Sequence, residues 1–144
     1  MDIERKDIKE AVDAEVSKVA DLTYDNEGNS RYDGIIITSS DAPLIDGYID
    51  DAVLALQKRL IDVATIREDT TKIAITNSNP NADSGTDNAI KASVLRYLSL
   101  NVCAAWFRMV LPERVEEYAA RGQVAMDEVI SLMLHRKTPT ITRE

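Results

Sequence analysis

The side chains able to do chemistry are few, and their spacing does not suit it. The chain has one histidine and one cysteine, His135 and Cys103. They fall on different predicted helices, so neither zinc ligation nor a Cys–His nucleophile pair is supported. Cys103 stands among Val102, Ala104, Ala105 and Trp106, surroundings in which a lone thiol acts as a small buried hydrophobe. His135 precedes Arg136 and Lys137 in what reads as the last turn of a helix, where cations complement the dipole. Asp46, Asp50 and Asp51 could share one helix face, because residues four apart are neighbours there. They precede most of that helix's apolar stripe and read as solvated acids favoured by the helix N-terminus rather than as a metal or acid–base site. Asn79, Asn81 and Asp83 alternate as calcium-loop ligands do, but Gly85 comes a residue late and Ile90 stands where the bidentate glutamate belongs. No GxGxxG, GxxxxGK[ST], GxSxG or HExxH motif occurs. The expectation is a protein with no catalytic residue, no metal and no cofactor, one that assembles rather than catalyses.

Length and charge agree with that expectation. A chain of 144 residues with 44% hydrophobic content can bury one core of useful depth. The net charge of -8 disfavours free nucleic acid and anionic lipid as primary ligands. No stretch approaches the roughly 18 consecutive apolar residues of a membrane span, and the charged start Asp2-Ile3-Glu4-Arg5-Lys6-Asp7 is unlike a secretory signal. A soluble cytoplasmic protein without membrane contact is expected.

Hydrophobic spacing predicts the elements that would hold any site. Ile8, Val12, Val16 and Val19 trace a narrow stripe on a first helix over 3–22. After a turn-rich stretch, the run Ile35-Ile36-Ile37-Thr38 predicts a short strand or extended connector. Asp41 as cap and Pro43 in the first turn open a second helix over 42–67, whose face is Ile45, Ile49, Val53, Leu56, Leu60 and Val63. Residues 68–87 read as a short strand, Thr70 to Thr76, dissolving into a long loop free to project toward a partner. A third helix over 88–110 has an apolar stripe broad enough to be central and buried. Pro112 sets a bend and begins a fourth helix over 112–137. The fold class is therefore mainly α: a small bundle of about four helices in one domain over 1–137, with one or two short strands, a long loop and an extended C-terminal arm over 138–144.

That arm, Thr138-Pro139-Thr140-Ile141-Thr142, favours extended backbone because Pro139 fixes its own torsion and turns Thr138 away from helix. By itself it is either a frayed terminus or a strand that adds to a neighbour's sheet edge.

The order of elements resembles that of the small head–tail adaptor (connector) proteins of tailed bacteriophages. The likeness covers roughly residues 42–144. It lies in the second helix, the long loop, the apolar helix around Tyr97-Leu98-Ser99-Leu100-Asn101-Val102-Cys103, the Leu111-Pro112-Glu113-Arg114 bend and the close Leu132-Met133-Leu134-His135-Arg136-Lys137 before a proline-containing tail. The resemblance implies a structural virion protein of the phage neck, assembled in the host cytoplasm. It would form a homo-oligomeric ring, commonly dodecameric, between the portal and a tail or neck protein, with DNA passing through the lumen without specific binding. The contact residues so implied are Arg136, Lys137, Thr138, Pro139, Thr140, Ile141 and Thr142 in the arm, and Lys72, Ile73 and Ile75 in the loop segment. Another neck or tail-completion component, or a stand-alone helical protein-binding module, remains the alternative.

Overall fold

The computed structural model describes residues 1–135. Among them, four long helices and one helical turn accompany a three-stranded antiparallel sheet. In chain order these are β1 (Asp2–Glu4), α1 (Arg5–Asp21), the turn α2 (Tyr32–Ile35), α3 (Ala42–Arg59), β2 (Ala64–Glu68), β3 (Lys72–Asn77), α4 (Asp87–Val110) and α5 (Val115–Met133).

α4 is the axis of the molecule, packing against α1, α3 and α5. Ile90, Val94, Leu98, Val102, Cys103 and Phe107 on it are fully buried, as its broad apolar stripe predicts. Phe107 meets Tyr118 of α5 with ring centroids 4.9 Å apart; truncating a side chain so enclosed costs roughly 3–5 kcal/mol. The extended torsion of Leu111 and the turn Pro112–Arg114 then reverse the chain into α5. That helix starts at Val115 rather than at Pro112.

Four expectations are corrected. The first helix begins at Arg5, because Asp2–Glu4 pairs with β3 in the register Ile3↔Ile73; three residues are too few to leave a periodic signal. Of the two readings of Ile35-Ile36-Ile37-Thr38, strand or extended connector, the strand does not form. Tyr32–Ile35 forms one helical turn, Ile36 is extended, and the buried Ile35 is fixed by its carbonyl, which accepts from the Trp106 indole at 2.7 Å.

The second helix stops at Arg59, eight residues short of its expected end at Arg67. Leu60 and Val63 continue its apolar face, but Ala64-Thr65-Ile66-Arg67-Glu68 alternates with period two and joins a hairpin with β3, in register Ile66↔Ile75. The hairpin turn is set by Asp69, whose Oδ1 accepts from the Thr71 and Lys72 amides at 2.7 and 2.9 Å. The short strand expected over Thr70 to Thr76 is present as β3, at the centre of the sheet. The long loop expected to project after it is instead a short connector closed by its own side chains. There Asn79 accepts from the Asn81 amide and Asp83 from the Gly85 amide. The alternation that imitates a calcium loop thus makes a run of side-chain-capped turns.

Candidate functional site

Side-chain alternation in the sheet creates the most charged site. Ile3, Ile73 and Ile75 face inward and are buried. Arg5 continues that inward register past Ile3, with its amide bonded to the Thr71 carbonyl, and Glu68 lies opposite Ile73 on the other edge strand. Two long ionisable side chains therefore leave the inner face at its margins, and they meet: Arg5 Nη1 lies 2.6 Å from Glu68 Oε1 and 2.9 Å from Asp50 Oδ1. Arg5 Nη2 reaches Asp46 Oδ1 at 3.4 Å, and Lys9 approaches the same carboxylate at 2.7 Å. The Arg5 side chain is only 11% exposed.

Burial pulls the Arg5 pKa down, but bonding to and attraction by Asp50, with Asp46 and Glu68 adding, raise it above its ordinary value. The hydrogen bond from Lys9 holds Asp46 low, and a hydrogen bond with Glu68, then Arg5, holds Asp50 low. Burial and the neighbouring Asp50 push Glu68 up, so it is the group of the pair that keeps a proton longer. The surrounding cleft, about 540 Å³, is lined by these residues with Asp69 and Thr70. Its guanidinium is already consumed by three carboxylates, so the geometry suits a structural clamp that ties β1 to α3 and β2. Two of the acids expected to be simply solvated, Asp46 and Asp50, are thus engaged. Asp51 is exposed.

A second concavity, about 470 Å³, runs between α1 and α5 over α4. Its floor is Ala11, Ala14, Ala92 and Leu95, and Lys18, Arg96 and Arg121 stand around it. Arg121 pairs with Glu15 at 3.6 Å and lies over the Tyr118 ring at 4.9 Å. The Tyr118 hydroxyl donates to Glu15 at 2.9 Å, and burial, then that carboxylate, pushes its pKa up to about 12. Cys103 is fully buried and likewise pushed up to about 12 by burial, which leaves almost no thiolate for nucleophilic work. Among the described residues no cluster of three or more His, Cys, Asp and Glu is placed to hold a metal ion, and no helix is long and apolar enough to cross a membrane.

The contact residues inferred from the resemblance fare unevenly. Ile73 and Ile75 are core residues, 0% and 1% exposed, and so are not surface contacts; only Lys72, exposed and 3.5 Å from Asp2, offers its side chain to solvent. Arg136, Lys137, Thr138, Pro139, Thr140, Ile141 and Thr142 lie outside the described residues. His135 sits just past α5, 3.8 Å from Asp83. Sequence reasoning passed over Arg5, whose partners lie 41, 45 and 63 positions away. It also passed over the groove, which no local pattern encodes because three helices build it.

Comparison with protein-family models, with curated proteins and with solved structures returns no match for this chain.

Proposed function

We propose that the chain is a non-enzymatic assembly protein, a ring-forming head–tail adaptor linking the portal of a tailed phage to its tail or neck. The observation that carries this reading is the set of large apolar side chains left in water by several elements of a well-packed body. Leu22 (70% exposed) and Tyr24 follow α1, Ile61 (75%) follows α3, and Val124 (68%) lies on α5. Apolar groups left exposed by three separate elements are available to neighbouring subunits. The acidic balance adds support, since a negatively charged lumen lets DNA slide without sticking. The arm from Thr138 onward would dock on a neighbour, and residues 1–135 would form the scaffold.

The test is native mass spectrometry with negative-stain microscopy of the full chain, alone and with a phage portal. Rings are expected; monomers alone, at high concentration and with portal present, would overturn the reading. Deleting residues 138–144 should preserve the fold and abolish docking. The groove over α4 favours a second reading, a stand-alone module that receives a peptide between α1 and α5. Saturable peptide binding by a strictly monomeric chain would select it.

A further inference from the structure

The loop after α1 is built to be presented. Asp25 Oδ1 accepts from the Glu27 and Asn29 amides, both at 2.9 Å. The Asp25 amide donates to the Asn29 carbonyl at 2.8 Å, and Arg31 closes the base on Thr23 at 3.1 Å. Tyr24 bridges Ser30, and Gly28 takes the left-handed torsion, φ 84°, that tightens the tip. This fixed hairpin holds Leu22 and Tyr24 out in water, 70% and 60% exposed. It also carries Asp21, Asp25 and Glu27, with no cation between residues 19 and 30.

The α1/α5 groove, which reaches Lys18 one helical turn before Leu22, has the opposite character. Its floor is small and apolar, and its lining residues include three cations, Lys18, Arg96 and Arg121, against one carboxylate, Glu15. Arg121 pairs with Glu15 at 3.6 Å and Arg96 with Glu128 at 3.3 Å, so the charge left over is that of Lys18, a small positive excess on a chain of net charge -8.

We propose that the acidic hairpin around Leu22 and Tyr24 of one copy docks in the α1/α5 groove of a second copy, a head-to-tail contact in which hairpin and groove are different patches of the same molecule. Tyr24 and Leu22 would cover Ala11, Ala14, Ala92 and Leu95, while Asp21 and Glu27 meet Lys18 and Arg96. The hairpin is already ordered by its own hydrogen bonds, so docking loses little conformational entropy. A contact between unlike patches propagates from copy to copy and closes into a ring when the rotation allows. The inference rests on the self-association proposed above and names the surface that makes it.

Cross-linking tests the contact directly, because the native thiol, Cys103, is buried and unreactive. Full-length Tyr24→Cys is mixed with full-length Ala92→Cys under mild oxidation, beside a control mixture of Tyr24→Cys with Thr65→Cys on the outer face of the sheet. A disulfide between unlike copies is expected in the first mixture and not in the control; equal yields overturn the contact. Leu22→Asp, at a position too exposed to affect folding, should raise the midpoint concentration of association by about 10-fold or more. Added salt should weaken association as well. Rings that form without the Tyr24–Ala92 disulfide overturn this contact and leave the ring intact. Association lost on deleting residues 138–144 but unchanged by Leu22→Asp assigns the interface to the arm and also overturns the contact. A chain that remains monomeric and uncross-linked overturns both proposals.

Discussion

Arg5, the residue that follows edge strand β1, and Glu68 of the other edge strand, β2, close on each other at 2.6 Å, 63 residues apart in sequence. Between them lies β3, whose Ile73 is fully buried. Charges turned inward at the margin of a small sheet discourage edge-to-edge pairing, and here they also lock the first residues of the chain to α3 through Asp46 and Asp50.

Arg5→Ala should therefore destabilise the protein by about 2–3 kcal/mol, because it leaves three carboxylates clustered without their shared cation. Lys6→Ala, at the next position but exposed and paired with the likewise exposed Glu4, should leave stability almost unchanged. Urea denaturation followed by Trp106 fluorescence compares the two. Equal effects would mean that the clamp contributes nothing beyond ordinary surface pairing.

The same cluster sets a pH dependence whose sign follows from its shifts. Asp46 and Asp50 titrate lower in the folded chain than their usual 3.8. The stability they confer is complete above that value and is withdrawn as the pH falls below it toward the folded pKa values. Glu68 is raised above 4.5, so its contribution runs the other way, present below 4.5 and lost as the pH rises through the folded pKa. Asp46→Asn should flatten the acid side of a melting-temperature profile taken from about pH 7 to 3, and Glu68→Gln should steepen it. Parallel profiles for parent and both variants would rule the cluster out as the origin of the acid sensitivity.

Two glycines should respond in opposite directions to alanine. Gly47 lies in the middle of α3 with open space where a Cβ would stand, so Gly47→Ala should stabilise by roughly 0.5–1 kcal/mol through helix propensity and a less disordered unfolded chain. Gly28, at φ 84°, should lose about 1 kcal/mol on the same substitution and loosen the hairpin tip. Thermal melts decide both, and a destabilised Gly47→Ala would show that this face of α3 is covered.

What the sequence made legible was the helical scaffold, and the reason is periodicity. α4 and α5 carry apolar stripes long enough that no competing reading of Ile90 to Phe107 survives, and Pro112 marks the bend between them. Of the sheet, the strand over Thr70 to Thr76 was legible as β3, and β2 was hidden for a physical reason. Leu60 and Val63 satisfy a helical stripe as well as they satisfy a turn, and only pairing with β3 decides that Ala64–Glu68 is extended. At Ile35-Ile36-Ile37 the strand alternative lost to the connector: its strand propensity is real, but among the described residues it pairs with no strand, and the Trp106 indole holds the Ile35 carbonyl instead. The clamp was illegible because it joins residues that the pairing of the sheet brings together, and the groove because it is shared among three helices, each legible by itself.

The placement of the expected strand at the buried centre of the sheet, and not in a contact segment, has the sharpest consequence for mutagenesis. If Ile73 were a contact residue on a projecting loop, Ile73→Ala would weaken docking and leave the melting temperature alone. As a side chain with 0% exposure between β1 and β2, it should instead cost about 2–4 kcal/mol on truncation, from lost burial and the cavity left behind. Lys72→Ala should be nearly silent in stability, because its ion pair with Asp2, at 3.5 Å, is half exposed on both sides. Measured together by chemical denaturation and by portal binding, the pair separates folding from recognition. Ile73→Ala should lose binding only in proportion to the fraction unfolded, whereas a fully folded Ile73→Ala protein that no longer binds would return this strand to the interface.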